Sequence, residues 1–144
     1  MTDAPRLNRQ VCFALYSASR AATAVYRPVL EELGLTYPQY LVMLVLWENE
    51  PRGVKELGEE LGLDSGTLSP LLKRLESLGL VERRRSGEDE RRVAIHLTAA
   101  GRELSSKAGA LPKRLAEAAG LTAEELDQLH NTLARLTAAL HNAR

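Results

Sequence analysis

Apolar residues recur at steps of three and four through most of this chain, and strict alternation is confined to one short run. The pattern therefore predicts helices around one small β element. After a frayed tail at residues 1 to 6, Val11, Leu15, Ala18, Ala22, Val25 and Val29 mark one seam of a long helix that Asn8 can cap. Cys12, Tyr16 and Tyr26 lie beside that seam, and Pro28 predicts a bend or a stop near its end. Leu35 to Trp47, LTYPQYLVMLVLW, predicts a second helix capped by Thr36, with Pro38 in the first turn, where its missing N–H costs little. That helix is apolar almost all round, which assigns it, with Tyr40, to the core. Residues 49 to 53 break the pattern.

Val54, Leu57 and Leu61 predict a short helix that Gly62 ends. Asp64 or Ser65 can cap the next one, whose Leu68, Leu71, Leu72, Leu75 and Leu78 recur at helical spacing and are expected to face inward. Its other face carries Ser65, Thr67, Ser69, Lys73 and Arg74. Small hydroxyls near the N-terminus allow close approach to base edges, and the cations farther along suit phosphates. Pro70, one turn in, predicts a local bend. Beyond Gly79, the runs Val81 to Arg85 and Arg92 to Leu97 predict a hairpin, because Val93, Ile95 and Leu97 alternate with Arg92, Ala94 and His96. Its tip bears Arg85 and Arg91. Helix, turn, helix and basic hairpin in this order read as a winged helix-turn-helix, a device for entering DNA grooves.

Thr98 can cap a helix through Leu104, Ala108, Leu111 and Leu115, kinked near Pro112 and closed by Gly120. Thr122 and Glu125 stand at capping-box spacing before a last helix striped by Leu126, Leu129, Leu133, Leu136 and Leu140. Both ends of the chain thus offer apolar seams, and the expected partner is a second copy related by two-fold symmetry. A dimer also supplies the two recognition helices that a palindromic site requires.

Composition narrows the picture. The 144 residues suit one domain plus dimerisation helices, and the 19 basic and 19 acidic residues balance. Between Lys73 and Arg92, seven cations oppose five acids, a modest patch that predicts salt-dependent binding to double-stranded DNA by a dimer. No apolar run is long enough to cross a bilayer and the first ten residues are too polar for a secretory signal, so a cytoplasmic protein without membrane contact is expected. One cysteine excludes an intrachain disulfide. His96, His130 and His141 are scattered surface candidates without zinc spacing, and neither metal nor cofactor is expected.

The run DSGTLSPLLKRLESLGLVERRRSGEDERRVAIHLTAAG resembles the winged-helix core of the MarR family of bacterial transcriptional regulators, including its Asp-x-Arg wing motif at Asp89 and Arg91. The resemblance implies a mainly α fold with a small β-hairpin wing, in which Arg91 enters the minor groove and Asp89 braces the wing. It divides the chain into an N-terminal dimerisation helix over 1–34, a DNA-binding winged helix-turn-helix over 35–98, and C-terminal dimerisation helices over 99–144.

Cys12 falls about one turn inside the first helix, where unpaired backbone donors, helped by Arg9, favour a thiolate. Tyr26, fourteen residues on, shares its side but stands about 21 Å away at 1.5 Å per residue. The two meet only if antiparallel copies pack, which would also bring Tyr37 level with Cys12. The words VCFALYSASR and VYRPVLEELGLTYPQYLVMLVLWE resemble the organic hydroperoxide resistance repressors, a MarR subgroup. This implies that Cys12 is a peroxide-sensing thiol hydrogen-bonded across the dimer by Tyr26 and Tyr37, with Tyr16 nearby. Some members resolve the oxidised thiol with a second cysteine, which this chain lacks, so it resembles the one-cysteine class. Its sulfenic acid would pass to a low-molecular-weight thiol, to a backbone nitrogen, or to further oxidation. The implied function is a repressor that an organic hydroperoxide removes from its operator. Three rivals stay open: release by a noncovalent aromatic ligand, a thiol peroxidase, and a winged helix used only for protein contacts.

Overall fold

The apolar segment after Gly34 becomes the centre of the molecule. The computed structural model describes residues 4–85 and 92–143. Helix α2 (Tyr37–Glu48) buries Gln39, Tyr40, Val42, Met43, Val45 and Leu46, so its neighbours close on it from several sides. Thr36 caps it, and Gln39 completes a capping box by accepting the Thr36 N–H at 3.0 Å. The expected start at Leu35 is two residues early: Leu35 is buried, but its N–H closes the end of the preceding helix on the Leu30 carbonyl.

That preceding helix, α1, spans Val11–Leu33 behind a 3-10 turn at Leu7–Arg9. Its N-cap is Gln10 rather than Asn8, whose own residue is taken up in the turn. Pro28 does not stop it; the helix ends at Gly34, whose φ of 73° is a left-handed conformation open to glycine. Only Val29 and Leu30 of α1 are buried.

The winged unit follows: β1 (Arg52–Gly53), α3 (Val54–Leu61), α4 (Ser65–Ser77), β2 (Val81–Arg85) and β3 (Val93–Leu97). The sheet is antiparallel in the order β1-β3-β2, so the expected hairpin carries a third strand. β1 has two residues, paired with Ile95 and Ala94, too short for alternation to reveal it. Leu57, Leu68, Leu72, Leu75, Val81, Ile95 and Leu97 meet α2 in one core. Each such side chain contributes roughly 1.5–3 kcal/mol relative to exposure. Leu78, expected inward, is 42% exposed, because α4 ends at Ser77 and Leu78 leaves the inward stripe as its C-cap.

The expected helix kinked near Pro112 is two helices, α5 (Ala99–Ala108) and α6 (Ala110–Ala118). Pro112 has no N–H to bond the Ala108 carbonyl, so the ladder ends at Ala108 and Pro112 falls in the first turn of α6, where a donor is dispensable. α7 (Ala123–Asn142) starts at the expected Thr122–Glu125 capping box and buries no residue.

Two glycines permit close approaches. A Cβ on Gly58 would lie 2.8 Å from the Leu63 carbonyl oxygen in the turn between α3 and α4. One on Gly101 would lie 2.1 Å from the Leu80 carbonyl oxygen, so α5 seats against the wing root only with glycine there. Gly101→Ala is therefore expected to lower stability by about 1–3 kcal/mol, read from urea unfolding at fixed protein concentration.

Candidate nucleic-acid interface and sensor site

α4 is placed by its buried Leu68, Leu72 and Leu75, which turn the opposite face outward. Ser65, Thr67, Lys73 and Arg74 are exposed on that face, and Ser69 is half-buried. Asp64 is the cap: its Oδ1 accepts the Thr67 N–H at 2.8 Å. That N–H, and then the Thr67 hydroxyl, hold the Asp64 carboxyl below its ordinary value of 3.8. The helix continues through Pro70, which is exposed. Ser65 also borders an open groove of about 1090 Å³ between α3 and the sheet, lined in part by Lys55, Arg83 and Arg92. Lys55 carries no periodic signal, and only the tertiary fold brings it beside α4.

In the wing, Arg85 is exposed at the end of β2. Arg83 pairs with Glu76 of α4 at 2.6 Å and Arg84 pairs with Glu82, so part of the basic patch is neutralised internally. Asp89 and Arg91 lie outside the described residues.

At the other end of the molecule, Cys12 is the second residue of α1 and is exposed. Tyr16, one turn on, is 60% exposed, and the Arg20 guanidinium sits 5.3 Å from its ring centroid. Leu7, Val11 and Phe13, their neighbours along the chain, are exposed as well, and Leu129 and Leu140 are exposed on α7. Tyr26 and Tyr37 lie elsewhere, half-buried with ring centroids 5.9 Å apart and each 6.1 Å from the buried Tyr40. Burial, and secondarily the neighbouring Tyr37, push the Tyr26 phenol above its ordinary 10.0. At neutral pH it therefore keeps its proton and can donate. Within one chain the fold packs Tyr26 against Tyr37 and leaves Cys12 and Tyr16 one turn apart near the start of α1, about 21 Å of helix from Tyr26.

A contact chain links the tyrosines to the wing. Tyr40 stacks edge-on to Trp47 at 6.3 Å, and the Trp47 Nε1–H donates to the Gly101 carbonyl at 2.8 Å. Beside it, Glu50 accepts the Leu97 N–H at 3.1 Å and pairs with Arg102 at 3.0 Å, pinning β3 to α5. His96 is half-buried there, whereas His130 and His141 are exposed as expected. Among the described residues no group of His, Cys, Asp or Glu could hold a metal, and no helix is long and apolar enough to cross a membrane.

A capped helix with hydroxyls and cations outward, seated beside a three-stranded wing, is the architecture of a winged-helix transcriptional regulator. The family model of the SarA/Rot transcriptional regulators matches residues 24–108. The organic hydroperoxide resistance transcriptional regulator of Bacillus subtilis is 48% identical over 96% of this chain and 95% of its own length. The regulator TtmR of Methylorubrum extorquens is 50% identical over 96% of this chain and 71% of its own. AbfR of Staphylococcus epidermidis has a similar structure, with a TM-score of 0.77 at 37% identity over 95% of each chain. AbfR has also been solved reduced on DNA, overoxidized on DNA, and with a disulfide. The chain belongs to the MarR family of transcriptional regulators, in its organic hydroperoxide resistance branch, and is a regulator rather than an enzyme.

The Glu50 clamp has a pH signature. The Arg102 hydrogen bond, ahead of the Leu97 N–H, lowers the Glu50 carboxyl from its ordinary 4.5. A depressed folded-state value stabilises above the unfolded value and is lost as pH falls through the folded one. Glu50→Gln is expected to melt below the wild type at pH 7, with the difference shrinking as pH falls through and below 4.5.

Proposed function

We propose that the protein is a homodimeric cytoplasmic repressor that holds a palindromic operator while Cys12 is reduced and releases it when an organic hydroperoxide oxidises Cys12. The observation that carries this reading is the separation of the two half-sites: Cys12 with Tyr16 at one end of a bare α1 face, Tyr26 with Tyr37 near the other. An antiparallel second copy would cover the face and bring Cys12 level with the partner's tyrosines. Residues 1–34 and 99–144 then serve dimerisation and 35–98 serves DNA. Ser65, Thr67 and Ser69 approach base edges, Lys73 and Arg74 take phosphates, and the wing with Arg85, Asp89 and Arg91 reaches the minor groove.

In the sensing step the Cys12 thiolate attacks the outer peroxide oxygen. An S–O bond forms as the O–O bond breaks, the sulfur loses two electrons, and the alkoxide leaves as the alcohol after taking a proton. A small cellular thiol then attacks the sulfenic sulfur, forming a mixed disulfide and releasing water. Two points favour this fate over further oxidation: a mixed disulfide inserts the larger group, and overoxidized AbfR has been seen on DNA. The inserted group separates Cys12 from the tyrosines and forces the dimer helices apart. Each recognition helix must sit about one DNA turn, roughly 34 Å, from its mate, so a shift of a few ångströms breaks the match.

The experiment is operator affinity, with the DNA flanking its own gene, before and after one equivalent of cumene hydroperoxide, with and without excess small thiol. Wild type is expected to fall toward non-specific binding, about 10³-fold or more, and Cys12→Ser to stay bound. Retention by both proteins under all conditions would contradict a redox switch and favour release by a small aromatic ligand.

A further inference from the structure

Tyr40 belongs to the core, with 3% of its surface exposed, yet its ring packs against both tyrosines assigned to the sensor. Its centroid lies 6.1 Å from that of Tyr26 and 6.1 Å from that of Tyr37, while those two stand 5.9 Å apart. The rings thus form a nearly equilateral triangle whose buried corner is Tyr40. It meets Tyr26 edge-on at 78°, an arrangement that the ring quadrupoles favour. Tyr26 comes from α1 and Tyr37 from α2, so the two phenols ride on separate helices, and Tyr40 is the aromatic neighbour common to both. Among the described residues the Tyr26 and Tyr37 hydroxyls make no hydrogen bond within the chain. Ring packing therefore aims them, and their O–H groups are left to donate elsewhere.

Tyr40 is itself fixed from behind. It meets Trp47 of the same helix edge-on at 6.3 Å, and the Trp47 indole is tied to the Gly101 carbonyl. A ring held by three aromatic neighbours in a close-packed interior shifts only if they shift with it. We propose that Tyr40 is a positioning residue of the peroxide sensor: its ring is the seat that holds the Tyr26 and Tyr37 phenols at the spacing and tilt from which both donate to the sulfur of Cys12 of the partner subunit. The proposal rests on the sensor reading of Cys12. The contacts run ring to ring, so the role belongs to the aromatic ring of Tyr40 and not to its hydroxyl. Without that ring each phenol loses one of its two aromatic neighbours. Rotamers that turn the phenols into solvent or into the vacated space then become populated.

The test is the rate at which reduced Cys12 loses its free thiol to cumene hydroperoxide, with folding and dimerisation followed by circular dichroism and sedimentation. Tyr40→Leu, or Tyr40→Met should the leucine variant not fold, is expected to slow the reaction about two- to tenfold, the size of one lost aromatic pair. Tyr40→Phe, which keeps the ring, should restore the rate. In a Tyr26→Phe, Tyr37→Phe background, where no phenol is left to aim, Tyr40→Leu should change nothing further, an outcome that a general loosening of the core would not give. An unchanged rate in Tyr40→Leu, a loss in Tyr40→Phe as large as that in Tyr40→Leu, or a loss that persists in full beside Tyr26→Phe and Tyr37→Phe would overturn the proposal while leaving the sensor intact. A wild-type Cys12 inert to hydroperoxide, or a rate untouched by Tyr26→Phe with Tyr37→Phe, would overturn the sensor reading, and this role with it.

Discussion

One continuous helix of 23 residues holds Cys12 and Tyr26 about 21 Å apart, and the organisation of the proposed sensor follows from that separation. Neither loop motion nor side-chain rotation can close such a gap, so a sensor built from Cys12 and Tyr26, as proposed, needs a second copy. The same helix buries only Val29 and Leu30, and α7 buries nothing, although both carry apolar residues at helical spacing. The unmet burial and the incomplete site call for the same remedy, a second copy. In the proposed dimer, sensing and assembly therefore share one surface, and a group inserted at Cys12 acts directly on subunit geometry.

From the tyrosines inward the structure offers a stiff route to DNA. Tyr26, Tyr37 and Tyr40 pack as a triangle, Tyr40 meets Trp47, and Trp47 bonds the backbone of Gly101. Gly101 in turn lies against Leu80, whose carbonyl accepts the Thr98 N–H at the foot of the wing. Glu50 fastens β3 to α5 across the same joint. Close-packed joints of this kind shift as units rather than deform smoothly. Displacement of α2 would thus be passed on to the base of the hairpin and the end of α4.

Local features of the fold were legible in the sequence, and features made by distant parts of the chain were not. Capped helices declared themselves because the cap and its donor lie three residues apart, as at Asp64 and Thr67 or Thr122 and Glu125. The inward leucines of α4 were readable up to Leu75, whereas Leu78 fits the period and fails because the helix has already ended. Gly109 and Pro112 announced an interruption, but its location depended on which carbonyl lost its donor. β1 is too short to carry a period, and the Trp47–Gly101 bond spans 54 positions. Of the proposed sensor, Cys12 and the tyrosines were readable as residues, and helix rise alone set Cys12 and Tyr26 apart, while the packing of Tyr26 and Tyr37 against Tyr40 became visible only in the fold.

The central claim is that each sensor takes its thiol from one subunit and its tyrosines from the other. A heterodimer tests it most directly, one subunit carrying Cys12→Ser and the other carrying Tyr26→Phe with Tyr37→Phe. The single remaining thiol then has phenylalanines in its own chain and intact tyrosines in its partner. The account predicts that this thiol reacts with cumene hydroperoxide at the wild-type rate. A rate matching that of the homodimer carrying both phenylalanines would place the tyrosines in the same chain as their cysteine and contradict it.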